Sequence, residues 1–151
     1  MRKFQHHKHS VGQNSFHIVW CPKYRWHALK PIVINKVCEG AIRLVALKYG
    51  FTIHELKVMP NHIHLFVELP PYTSVSKALQ LFKGISSRIL RRKFIWLRKL
   101  YKRGHMWSPG KFYRSVGNVT AETIKHYIKH SNHNWKYYKG LDKKQKTLTE
   151  I

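Results

Sequence analysis

The sequence predicts an α+β chain with a ferredoxin-like (RRM-like) antiparallel sheet and an added C-terminal helix. Two observations predict it. Alternating segments and helically spaced segments follow one another in the order β-α-β-β-α-β, and Pro or Gly punctuates the joints. One further helical pattern follows the last strand, and no internal repeat competes with this reading.

Residues 1–13 are polar and rich in His and Lys, the composition of a mobile basic arm. Ser15 to Trp20 reads as the first strand, ended by Pro22. After Pro31, the apolar residues Ile34, Val37, Cys38, Ala41, Ile42, Val45 and Tyr49 keep helical spacing, and Gly50 suits a C-terminal stop. Phe51 to Val58 is the second strand, and Met59-Pro60-Asn61 a tight connection. In the third, Ile63, Leu65, Val67 and Leu69 alternate with His62, His64 and Glu68, so both imidazoles share one face. Only Phe66 breaks the polar register. Pro70-Pro71 ends the strand, and Thr73 or Ser74 caps a second helix with the stripe Val75, Ala78, Leu79, Phe82, Ile85 and Ile89. Residues 94–110 are basic, aromatic and irregular, Lys111 to Val116 is a short fourth strand, and Thr120 opens a last helix to about residue 136. The expected organisation is an arm at 1–13, a single domain at 14–138 and a polar tail at 139–151. In this topology the first and third strands are central. The histidines should therefore sit mid-sheet, on the face that the two helices leave open.

Composition narrows the function. The chain of 151 residues carries 29 Lys+Arg against 6 Asp+Glu, a formal charge of +23. Such an excess repels itself unless a polyanion neutralises it, so nucleic acid is the leading partner and an acidic membrane surface the runner-up. No apolar run approaches the ~18 residues of a spanning helix, and no secretory h-region opens the sequence. A cytoplasmic protein with no membrane segment is expected. Cys21 and Cys38 stand apart, as reduced cysteines do. With so few acids, the converging carboxylates of a two-metal nuclease are missing.

Two constellations remain. His62 and His64 make a start on a divalent-metal site, or are two surface histidines of an amphipathic strand. On the last helix, Ile124, Tyr127, Ile128 and Ser131 share a face, and Tyr127 is either an ordinary core aromatic or a nucleophile aimed at a phosphate.

Met-Pro-Asn-His-Ile-His-Leu at 59–65, Phe-Lys-Gly-Ile-Ser-Ser-Arg-Ile-Leu at 82–90 and Ile-Lys-His-Tyr-Ile at 124–128 resemble the single-tyrosine HUH transposases. These small insertion-sequence enzymes act on single-stranded DNA. Ile-Val-Trp-Cys-Pro-Lys-Tyr at 18–24 resembles their first strand, and the likeness runs in order from about residue 14 to residue 135. The resemblance implies that His62 and His64 are metal ligands, for Mg²⁺ or Mn²⁺, and that Tyr127 is the nucleophile. It implies a 5′-phosphotyrosine intermediate with a free 3′-OH, a substrate with a hairpin near the element's end, and a homodimer whose active sites are completed in trans. Where the family carries a glutamine one turn after the tyrosine, this chain has Ser131, with Asn132 beside it; one of them, or water, takes the third position.

DNA contacts are expected from Lys83, Arg88, Arg91, Arg92 and Lys93, with Trp107 among the aromatics (Trp96, Tyr101 and Tyr113 are the others) that could stack on unpaired bases. The competing readings are a non-catalytic single-stranded DNA- or RNA-binding module, a structural basic protein, and a domesticated relative that processes chromosomal palindromes.

Overall fold

The computed structural model describes residues 4–7, 10–117, 126, 128 and 129. Two short strands, β1 (Gln5–His7) and β2 (Ser10–Gly12), pair antiparallel near the N-terminus, where an unstructured arm was expected. The main sheet comprises β3 (Ser15–Trp20), β4 (Thr52–Met59), β5 (His62–Glu68) and β6 (Phe112–Ser115) in the order β4-β5-β3-β6, every pair antiparallel. The strands β3 and β5 are central, as the element order predicts. Helices α1 (Ile32–Tyr49) and α2 (Val75–Lys93) pack against one another beside the sheet.

Each helix begins and ends where its residues dictate. Pro31 precedes α1 in an extended conformation, and Gly50 ends it at φ 72° with its N–H bonded to Ala46 O. That left-handed conformation strains any residue with a Cβ, so glycine is the natural stop. The Ser74 side chain caps α2 by accepting from Lys77 N at 3.1 Å. Arg91, Arg92 and Lys93 fill the last turn, where the helix dipole favours cations. The buried face of α2 runs through Ala78, Leu79 and Phe82 to Leu90, while Ile89 is only half-buried. Extended Phe94 then breaks the helix, and α3 (Ile95–Leu100) follows, a short helix within the stretch read as irregular.

One core fills the space between sheet and helices. Ile18 and Trp20 of β3, with Ile63, Leu65 and Val67 of β5, meet Ile42, Leu79 and Phe82. Trp20 stacks on Phe82 at 6.0 Å and takes the edge of Trp107 at 6.1 Å. Burying such side chains contributes about 1.5–3 kcal/mol each. The β4–β5 turn is braced from the helix layer. Leu29 N donates to Pro60 O at 3.0 Å, and Asn35 Nδ2 donates to Val58 O at 2.8 Å.

Two loops lock together just beyond the C-terminal end of β3. Lys23 N donates to Met106 O at 2.9 Å, Ser108 N to Cys21 O at 2.9 Å, and Pro22 bridges to Trp107. Within the first loop, Tyr24 and Arg25 both hold positive φ, 61° and 52°. Left-handed non-glycine residues cost on the order of 1–3 kcal/mol each and persist only where the surroundings over-determine them. Both cysteines are buried and free. No helix among the described residues is long and apolar enough to cross a membrane.

Candidate active site

The strand β5 is buried on both sides, and the two sides differ in chemistry. Ile63, Leu65 and Val67 belong to the helix-side core. His62, His64, Phe66 and Glu68 point the other way and are as deeply buried, at 1–4% exposure. The imidazoles are therefore not surface histidines, and the face left by α1 and α2 is not open. Phe66, the residue out of place in the polar register, explains part of the cover. It packs with Val116 and the fully buried Ile128, which is helical.

Three histidines stand in a row on this face, with neighbouring ring nitrogens 2.9 and 3.4 Å apart. His62 Nδ1 lies 2.8 Å from Asn61 Oδ1. A carbonyl oxygen only accepts, so Nδ1 carries the proton and His62 Nε2 keeps its lone pair. That Nε2 lies 2.9 Å from His64 Nε2. On its other side, His64 Nδ1 lies 3.4 Å from Nε2 of His17, whose ring runs nearly parallel to it. His17 belongs to β3, paired opposite Phe66, which puts it on the diagonal from His64. Burial, assisted by the Arg114 charge, lowers the His17 pKa to about 4, so it is neutral at physiological pH. His17 was not among the candidates read from sequence. The signal that finds it is cross-strand register, which residue spacing within one strand does not carry.

The donor set suits a small divalent ion. Two nitrogens bound at about 2.1 Å and at right angles stand about 3.0 Å apart, close to the 2.9 Å between the two Nε2 atoms. Among the described residues no group of three or more His, Cys, Asp or Glu converges on one point. Glu68, the nearest acid of the strand, is engaged elsewhere, with Oε2 3.0 Å from His54 Nε2. A bulge between Ile53 and Glu55 makes His54 the extra residue of β4 and brings it beside Glu68.

Tyr127, Ser131 and Asn132 lie outside the described residues. The expected DNA contacts divide. Arg92 and Lys93 are exposed on the last turn of α2. Arg88 and Arg91 line a cavity of ≈ 670 Å³ between α2 and residues 104–109. Two of the expected contacts already have partners within the chain. Lys83 is not a free phosphate contact, because its Nζ donates to Ser108 O at 2.8 Å and Gly110 O at 3.2 Å. Burial lowers its ammonium to about 8, a shift opposed by Cys21 and assisted by the Lys111 charge. Trp107 has no exposed face for stacking: it is 5% exposed, packs on Trp20 and donates its indole N–H to Ser86 Oγ at 3.0 Å. Tyr101 is likewise buried, whereas Trp96 and Tyr113 are exposed.

The chain is similar to known proteins in sequence and in fold. The family model described as "Transposase IS200 like" matches residues 10–131. The ISDra2 transposase TnpA of Deinococcus radiodurans is 28% identical over 121 residues, covering 78% of this chain and 84% of that protein. The transposase for insertion sequence element IS200 of Salmonella typhimurium is 33% identical over 129 residues, 81% of this chain and 79% of its own. Among solved structures, a Deinococcus radiodurans protein described as a transposase superposes with a TM-score of 0.68 at 26% identity, over 83% of this chain and 95% of that one. A REP-associated tyrosine transposase bound to a REP hairpin has the same fold, with a TM-score of 0.57 at 16% identity over 82% and 69% of the two chains. The chain belongs to the IS200-like transposase family.

Proposed function

We propose that this transposase cuts and rejoins single-stranded DNA at insertion-sequence ends through a 5′-phosphotyrosine, with Tyr127 as nucleophile and His62 and His64 as metal ligands. The observation that carries the reading is the buried imidazole pair, with Nε2 atoms 2.9 Å apart. Ile128, next to Tyr127 in sequence, is seated on the same sheet face at Phe66. Bound Mg²⁺ or Mn²⁺, with Ser131 or Asn132 as a third ligand, would act as a Lewis acid on the scissile phosphate.

The chain's own groups supply the rest. Tyr127 Oη attacks phosphorus in line and loses its proton; the P–O3′ bond breaks and the departing oxygen leaves as a 3′-OH. Attack by another 3′-OH on the phosphotyrosine restores a phosphodiester and frees the phenol, so no ATP is needed. His17 is a positioning residue. For both Nε2 lone pairs to face one ion, His64 must carry its proton on Nδ1, and His17 Nε2 is placed to accept it. Arg88, Arg91, Arg92 and Lys93 hold phosphates of a hairpin substrate; a protein of this fold bound to a REP hairpin supports that. We place the catalytic domain at 14–138, between the N-terminal arm and the tail, and its action in the cytoplasm.

The active protein is a homodimer with sites completed in trans. A cis site is the second reading, favoured by Ile128 packing on Phe66 of its own chain. The deciding experiment incubates labelled single-stranded hairpin DNA with Mg²⁺ or Mn²⁺ and traps covalent adducts. Adducts should form and vanish in Tyr127→Phe; none with the wild-type protein leaves a non-catalytic binding module. Mixing Tyr127→Phe with His64→Ala subunits restores cleavage if sites form in trans and leaves it dead if they form in cis.

A further inference from the structure

We propose that Tyr24 and Trp26, on the loop between β3 and α1, form a stacking platform for an unpaired nucleobase of single-stranded DNA. The platform is a graded series of three tilted rings, with interplanar angles of 38° between Tyr101 and Trp26 and 42° between Trp26 and Tyr24. Tyr101 at its base is 3% exposed, Trp26 above it 41%, and Tyr24 at the outer end 66%. Ring centroids are 5.6 Å apart at the first step and 4.7 Å at the second. The series thus rises from the core and ends in solvent at the exposed Tyr24 ring.

The backbone is strained to display it. Tyr24 and Arg25 are the only non-glycine residues of positive φ among the described residues. The exposed Tyr24 ring gains little beyond its contact with Trp26, and a left-handed tyrosine adds strain. The loop keeps this shape through Arg25 N to Pro22 O at 3.0 Å and Lys23 N to Met106 O at 2.9 Å. Strain maintained around an exposed aromatic points to a ligand.

Charge identifies the ligand. Lys23 and Arg25 flank Tyr24 in sequence, and Lys23 also lines the ≈ 670 Å³ cavity with Arg88, Arg91 and His105. Among the described residues, no acidic one lines that cavity. A π-face beside a cationic channel is how single strands are held without sequence readout, by base stacking and phosphate contacts. Duplex offers phosphates but no free base face, so the platform distinguishes unpaired from paired DNA.

The inference rests on the single-stranded DNA reading above, and the test separates the two. Fluorescence anisotropy of the full-length protein compares a labelled duplex carrying a short single-stranded overhang with the same duplex made blunt. Tyr24→Gly removes the ring and suits the left-handed backbone, so its thermal midpoint should hold or rise. Its affinity for the overhang should fall roughly tenfold, with blunt binding unchanged. Tyr24→Phe should bind like wild type, and Trp26→Ala should weaken overhang binding. Tyr24→Gly binding the overhang as wild type does, or losing both DNAs equally, overturns the platform. If the wild-type protein binds neither DNA, the DNA reading falls and takes the platform with it. If overhang binding depends on Tyr24 while no covalent adduct forms, the platform stands and the nicking mechanism alone falls.

Discussion

The two faces of β5 are equally dry and differently built. On the helix side, Ile63, Leu65 and Val67 meet apolar partners from β3, α1 and α2. On the other, His62 and His64 meet nitrogen and oxygen atoms at 2.8–3.4 Å. Apolar burial needs only fit and area, whereas a buried imidazole must be given a partner for each ring nitrogen. The polar face therefore has fixed directions, and fixed directions are what the proposed metal site requires. On the proposed function, the helix side supplies stability and the histidine side chemistry.

That division can be broken by mutation. Leu65→Ala should have the largest effect, costing about 3 kcal/mol and lowering Tm by roughly 10 °C in thermal denaturation. His64→Ala should lower Tm by less but weaken Mn²⁺ binding more than ~100-fold in titration calorimetry. If it unfolds the protein as Leu65→Ala does, the histidine face is a packing face and the contrast fails. His17→Ala should weaken Mn²⁺ binding about 10- to 100-fold with Tyr127 untouched, and His17→Gln, which keeps an acceptor, should recover part of it. Equal affinities for wild type and His17→Ala would remove His17 from the site.

A pH-dependent effect lies off the sheet. Between its folded value of about 8 and the ordinary lysine value of 10.5, Lys83 binds fewer protons in the folded protein than in the unfolded chain. Stability relative to Lys83→Met should therefore rise with pH across that window, as measured by urea denaturation. A flat difference would mean that the two carbonyls keep Lys83 charged throughout.

Much of this was legible in the sequence because it is local. Alternation identified β5 and its two faces, Gly50 and Ser74 marked helix boundaries, and the element order implied a central histidine strand. What was missed is mostly non-local. His17 joins the site only through the register of β3 on β5, and the ring series of Tyr24 only through contacts between separate loops. Trp107 sits in a basic, aromatic stretch that resembles a nucleic-acid surface and Lys83 on a basic helix, yet packing against Trp20 and two backbone carbonyls engage them. The six residues of α3 are too few for a period to declare itself.

The braced turn before His62 has a consequence for how this gene can change. With Met59 paired to His62 across a two-residue turn, and Pro60 and Val58 held from the helix layer, the start of β5 cannot slide. Losing one codon inside the strand would invert the parity of everything after it, sending His64 into the oily layer and Leu65 among the imidazoles. Losing two would keep parity and only shorten the strand. Selection on this element should thus tolerate length changes in even steps and reject odd ones, an arithmetic that a survey of small in-frame deletions would expose.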